Sequence, residues 1–170
     1  EPFVNIATIG FTTHVARALD HGEKRRFGRM AYARALWRAW RAAKPFRATV
    51  RQGGQVQQFE TMQIVVGNGR YHAGPFPIHP DATIQDGTLS TYAVEGNQPK
   101  HLLVLALQIG TNGVLKFKQV RLFASESLHI ETDPVVPITV DGEVSHQTPA
   151  QFQILPGAIR ILVPPAFPAA

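Results

Sequence analysis

Cysteine is absent from all 170 residues. That excludes a disulfide framework, a thiolate metal site and a cysteine nucleophile, and it agrees with a reducing, cytoplasmic compartment. No apolar run approaches the ~20 residues needed to cross a bilayer. The opening EPFVNIATIG has neither a basic n-region nor a small-residue cleavage site, so the expectation is a domain that neither spans a membrane nor is secreted. Internal repeats and low-complexity linkers are missing as well. Neither a G-x-G-x-x-G loop nor a G-x-x-x-x-G-K-S/T loop occurs, so the chain has no recognisable nucleotide site of its own. No serine lies in a G-x-S-x-G elbow, which leaves a hydrolase triad without a starting point. The histidines at 14, 21, 72, 79, 101, 129 and 146 show no H-x-x-x-H pair, and a zinc site is not expected.

What remains is the composition of one folded core, with 44% apolar and 17% charged residues. Fourteen Gly and 13 Pro are spread along the whole length, a pattern of many short elements joined by turns. The net charge of +5 favours an anionic partner: a membrane surface, a phosphorylated ligand or nucleic acid. Nucleic-acid binding is not expected, because the stacking strand and basic groove of such modules are lacking.

Along the chain, PFVNIATIGF reads as a strand, Gly10 as a turn, and Thr12 or Thr13 as the N-cap of a short helix through Val15, Ala16 and Leu19. Glu23 to Ala43 is rich in helix formers and must stop at Pro45. On that helix Tyr32, Leu36, Ala39, Trp40 and Ala43 share one face, with Arg34, Arg38 and Arg41 opposite. Beyond Pro45 the period becomes two in FRATVRQ, VQQFETMQIVVGN and TLSTYAVEG. KHLLVLALQI tilts towards helix. Strand-like segments return in VLKFKQVRLFAS, SLHIETD, PITVDGEV, AQFQILPG and AIRILVP. The expected fold is mainly β (α+β), an antiparallel β-sandwich with one or two N-terminal helices, over residues 1–164 with a tail at 165–170.

Three segments, in order, resemble the C-terminal half of the diacylglycerol kinase, sphingosine kinase and bacterial lipid kinase superfamily: FVNIATIGF at 3–11, VVGNGRYHAGPFPIHPDATIQDGTLSTYAV at 65–94, and VDGE at 140–143. The resemblance implies transfer of the γ-phosphate of ATP to a lipid hydroxyl, with ATP bound by an N-terminal domain bearing Gly-Gly-Asp-Gly. That motif is not in this chain, so the implied enzyme needs its own N-terminal nucleotide domain as a partner. Where family members commonly carry a run of glycines, this chain has Ala73-Gly74-Pro75.

Phosphoryl transfer to an alcohol needs a carboxylate for the attacking hydroxyl and cations for the phosphate oxygens. The resemblance makes Asp141 the proton acceptor and Glu143 its neighbour. In a strand, residues two apart would present both carboxylates on one face; the alternative is an Asp-Gly hairpin turn. The resemblance also implies a structural Mg²⁺ held by the Asp86 side chain with the Thr83 and Thr88 carbonyls, against the alternative of a turn whose Asp caps its own backbone. Asn68 and Arg70, at the end of an apolar strand, are candidates for contact with the co-substrate phosphates; the alternative for Arg70 is a solvated surface turn. Arg34, Arg38 and Arg41 are candidates for an anionic membrane surface and hence peripheral association, while a helix of this type ordinarily packs its apolar face on its own core. The expected partners are a lipid substrate and that surface, with a homodimer left open. The competing function is a non-catalytic lipid-binding β-sandwich module.

Overall fold

The structure, a computed structural model, describes residues 1–18, 29–69, 71–72, 76–77, 82–96, 98, 120–160 and 162. The elements run β1 (Ile6–Gly10), α1 (Phe11–Ala18), α2 (Arg29–Ala42), β2 (Phe46–Gln52), β3 (Gln55–Gly67), β4 (Tyr71–His72), β5 (Phe76–Pro77) and β6 (Leu89–Glu95). They continue with β7 (Val120–Ser125), β8 (Ser127–Asp133), β9 (Pro137–Val140), β10 (Glu143–Gln147) and β11 (Ala150–Gln153). The alternation in the sequence is the cause: in β2, Phe46, Ala48 and Val50 are buried while Arg47 and Arg51 are exposed.

Nine strands form one antiparallel sheet in the order β10-β9-β1-β3-β2-β8-β11, with β6 paired to β3 and β7 to β6. The long strand β3 organises it. Its first half pairs with β2, and its second half pairs with β1 and β6. A bulge between Thr61 and Gln63 separates the halves, with the Thr61 hydroxyl donating to the carbonyls of Gln63 at 3.0 Å and Val94 at 2.7 Å. The bent sheet nearly closes into a β-sandwich around one core that includes Ile9, Val50, Ile64, Val66, Leu89, Leu128, Ile130 and Ile138. At 25 cal/mol per Å², each such side chain contributes about 1.5–3 kcal/mol.

A second cluster lies on the other face of β3 and β6: Met62, Val65, Tyr92 and Val94, with Phe11, Trp40 and Ala43 packed against it. Strands buried on both faces read as continuous apolar runs, which is why QIVVG and LSTYAV lose the alternation. Trp40, Ala39 and Ala43 therefore face inwards as the helical spacing predicts, and Arg34, Arg38 and Arg41 are exposed.

Some expectations change, and others go beyond the described residues. Thr12 and Thr13 lie inside α1 and do not precede it; the cap comes from Gln63 on β3, whose side-chain oxygen accepts the Thr12 N–H at 2.8 Å. AIRILVP forms no strand among the described residues, and Leu155, Ile159 and Leu162 are exposed. Residues 19–28, with the first part of the predicted long helix, and the KHLLVLALQI segment lie outside the described residues.

Candidate functional site

The sequence Val140-Asp141-Gly142-Glu143 joins β9 to β10 through two residues. Asp141 has φ 45° and Gly142 φ 97°. A two-residue hairpin needs positive φ at both central positions, and Asp-Gly is among the pairs that tolerate it best. Asp141 thus lies in the turn while Glu143 begins β10, so the two do not share a strand face as the extended reading predicts.

The turn aims the Asp141 carboxylate at the backbone that enters β1. Its Oδ2 accepts the Val4 N–H at 2.8 Å, and its Oδ1 accepts those of Asn5 at 3.1 Å and Ile6 at 2.9 Å. The Asp141 N–H in turn donates to the Ile6 carbonyl at 2.9 Å. Bonds from N–H groups to an ionised acceptor are roughly twice as strong as neutral ones.

Asn68 reaches the same segment from the end of β3. Its side-chain amide donates to the Val4 carbonyl at 2.9 Å, and its N–H to the Asn5 carbonyl at 2.9 Å. The next residue, Gly69, is buried, and a methyl group there would lie 3.6 Å from Asn5 Oδ1 and 3.5 Å from Ile84 Cγ2. Ile84 brings the turn before β6 to this corner. The three segments that carry the family resemblance are therefore assembled in one place. Two further contacts fasten the same stretch: His146 Nε2 on β10 lies 2.7 Å from Glu1 Oε2, and Phe3 packs edge-on against Phe152 with centroids 6.4 Å apart.

Glu143 differs from Asp141 in its surroundings. It is exposed, and its carboxylate makes no hydrogen bond or ion pair among the described residues. Arg70 lies outside the described residues.

In the turn before β6, Asp86 Oδ2 accepts the Thr83 N–H at 2.8 Å, and Oδ1 accepts the Thr88 N–H at 2.8 Å and hydroxyl at 2.9 Å. This is the self-capping turn weighed as the alternative to a metal site. No group of three or more His, Asp or Glu that could hold a metal ion gathers among the described residues. Asp86 is exposed, and an exposed carboxylate is a ligand type that suits a hard cation.

The Val4–Ile6 backbone as the common target of Asp141 and Asn68 carries no sequence signal that reasoning from residues alone could use. Trp37 does carry one: it is 62% exposed, on the same side of α2 as the arginines, where helical spacing puts it.

Residues 5–163 match the family model described as YegS C-terminal NAD kinase beta sandwich-like domain. A protein of Staphylococcus carnosus (strain TM300) named "Putative lipid kinase" is 22% identical over 94% of this chain and 52% of its own length. The chain spans about half the length of the curated relatives it matches. Among solved structures, one titled "Crystal structure of a putative diacylglycerol kinase from Bacillus anthracis str. Sterne" aligns with TM-score 0.69 and 29% identity, over 91% of this chain and 51% of that one. Another, titled "The crystal structure of a diacylglycerol kinases from Bacillus anthracis str. Sterne", aligns with TM-score 0.65 and 26% identity, over 91% and 50%.

Proposed function

This chain belongs to the YegS C-terminal NAD kinase beta sandwich-like domain family, and from that premise we propose that it is the lipid-acceptor domain of an ATP-dependent kinase that phosphorylates a lipid hydroxyl of the diacylglycerol type. Residues 1–164 form the domain in this reading, and ATP is held mainly by a partner nucleotide domain. The observation that supports the reading is the convergence of Asn68, Asp141 and the Ile84 turn on Val4–Ile6, which brings the three segments of the family resemblance together.

The chemistry asked of this chain is modest. The acceptor hydroxyl must lose its proton as its oxygen attacks the γ-phosphorus, and a positioned carboxylate takes that proton. In this reading Asp141 and Glu143 are the carboxylates assigned to that step. Asn68 and Arg70 are the groups assigned to the co-substrate phosphates. Mg²⁺ would be held by the Asp86 side chain with the Thr83 and Thr88 carbonyls, where it supplies rigidity to the turn before β6.

The acceptor is delivered from a membrane in this reading. Arg34, Arg38 and Arg41 are exposed on α2 with Trp37 among them, a face suited to anionic headgroups and to the interfacial level of a bilayer. No helix among the described residues is long and apolar enough to cross a membrane, so attachment through α2 is peripheral.

The test is radiolabelled phosphate transfer from ATP to a panel of lipid alcohols by the full-length protein containing this chain, with the Asp141→Asn/Glu143→Gln double variant as control. Transfer by the wild type and a loss of at least about 100-fold in the double variant are expected. Absence of transfer by the wild type returns the non-catalytic lipid-binding module.

A further inference from the structure

We propose that the cleft where α2 gives way to β2 binds an aminoethyl phosphate, and that its ligand is the headgroup of a membrane phosphatidylethanolamine. The site uses no residue assigned to phosphoryl transfer; only the membrane source of the headgroup rests on attachment through α2.

The cleft has a volume of about 150 Å³ and is lined by Pro45, Phe46, Arg47, Glu60 and Asp133. Its charged members come from three neighbouring strands in one register: Arg47 on β2 stands opposite Glu60 on β3 and opposite Asp133 at the end of β8. Phe46 and Ala48, on either side of Arg47, belong to the core, so Arg47 and both partners project from the outer face of the sheet. All three are exposed.

Side chains directly opposite each other start about 5 Å apart, within easy reach of an ion pair. Among the described residues, however, none of these three side chains makes a hydrogen bond or an ion pair. A guanidinium and two carboxylates that do not engage one another leave an anion site and a cation site open, about 5 Å apart across adjacent strands.

An aminoethyl phosphate carries its two charges across a two-carbon bridge, a span of about the same length. Its phosphate fits Arg47, whose planar fork takes phosphate oxygens in pairs. Its ammonium donates N–H bonds to Asp133 or Glu60. The balance of charges sets the selectivity. Two carboxylates against one guanidinium leave a surplus negative charge, so the extra carboxylate of a serine headgroup is repelled and a glycerol headgroup brings no cation to answer it. A trimethylammonium has no N–H to donate and is ordinarily held against aromatic faces. Phe46, the aromatic residue of the lining, is buried in the core.

Position supplies the source of the headgroup. Pro45 lies just beyond the end of α2 at Ala42, and Glu60 precedes Met62, whose cluster receives Trp40 and Ala43. The cleft is therefore at the foot of the helix whose outer face carries Trp37 and the arginines. A headgroup held there adds to attachment through α2, because two weak contacts with one surface act together.

Two measurements decide it. The first is cosedimentation of the 170-residue chain with vesicles of equal phosphatidylglycerol content, the remaining lipid being phosphatidylethanolamine or phosphatidylcholine. Wild-type binding is expected to be about fivefold tighter with phosphatidylethanolamine. That ratio should fall to about one in Arg47→Gln and in Glu60→Gln/Asp133→Asn. The two variants change the net charge in opposite directions, so general attraction to an anionic bilayer cannot lower both ratios. No preference in the wild type, or a preference kept in either variant, overturns the headgroup site. The second measurement is a titration with soluble phosphoethanolamine, in which the amide resonances of Arg47, Glu60 and Asp133 should shift with a Kd of about 1 mM or weaker. Phosphocholine should leave them in place. Equal shifts with both compounds overturn recognition of the ammonium, and a Kd below about 10 μM for the soluble compound makes it, not the lipid, the ligand. If the wild type binds no vesicle, attachment through α2 fails along with the lipid source, and the titration judges the cleft by itself.

Discussion

Gly10 lies so close to Met62 that a methyl group on its α-carbon would sit 2.4 Å from the Met62 carbonyl oxygen and 2.8 Å from Phe46 Cε1. Its φ of 103° lets the chain leave β1 and enter α1 at once, and the contact presses that turn onto the bulge in β3. The backbone carbonyl cannot step aside as a flexible side chain would.

Gly10→Ala therefore combines a disfavoured backbone angle with overlap in a packed region. We expect a loss of about 3 kcal/mol or more in unfolding free energy, read by urea denaturation. A change under ~1 kcal/mol would show that the turn relaxes freely.

Buried hydroxyls tie the same helix to the sheet. Thr139 on β9 donates to Thr13 Oγ1 at 3.0 Å, and Thr13 donates to the Thr8 carbonyl at 3.3 Å. Thr13→Val leaves the Thr139 donor without its acceptor, at an expected cost of about 1–3 kcal/mol. In the Thr13→Val/Thr139→Val double variant the costs should be less than additive, by about 1 kcal/mol. Strict additivity would mean that the two hydroxyls are energetically independent.

How much of this was legible follows from where each signal lives. The period-two runs FRATVRQ and SLHIETD become β2 and β8 residue for residue, because one face of each is buried and the other wet. The inward face of α2 was readable from helical spacing for the same reason. The start of α1 was not: Gln63, distant in sequence, supplies the cap that Thr12 and Thr13 were expected to provide. At the site, the Asp141-Gly142 pair signalled a hairpin and the ordered motifs signalled a family, but neither can say that a carboxylate would be spent on the amides of Val4, Asn5 and Ile6. That depends on register between β1 and β9, where Ala7 faces Val140.

The imidazole of His14 in α1 is held below its ordinary range, first by burial and then by the charge of Arg17. A lowered value in the fold means that the unfolded chain binds the proton more readily. Stability from this source is then complete above the unfolded value of ~6.5 and declines as pH falls towards the folded value. Thermal unfolding followed from pH 7.5 down to pH 5 should show a shallower decline for His14→Gln than for the wild type. Parallel curves would remove His14 from the account.

The outer face of α2 makes the membrane reading testable without any chemistry. Arg34, Arg38 and Arg41 offer three positive charges to an anionic surface, each worth ~1 kcal/mol there at low salt. Trp37 adds a ring that prefers the headgroup level to water. Cosedimentation with vesicles containing phosphatidylglycerol should weaken about 100-fold in the triple alanine variant. Wild-type binding should fall steeply between 0.05 and 0.5 M salt, as roughly expected when screening lengths shrink below the charge–surface separation. Trp37→Ala should lower affinity while leaving the salt slope as it was, since it removes apolar contact and no charge. Core packing cannot mimic this pattern, because Trp40 and Ala43, not Trp37 or the arginines, face the second cluster. Equal binding to neutral and anionic vesicles would take the arginines of α2 out of membrane attachment.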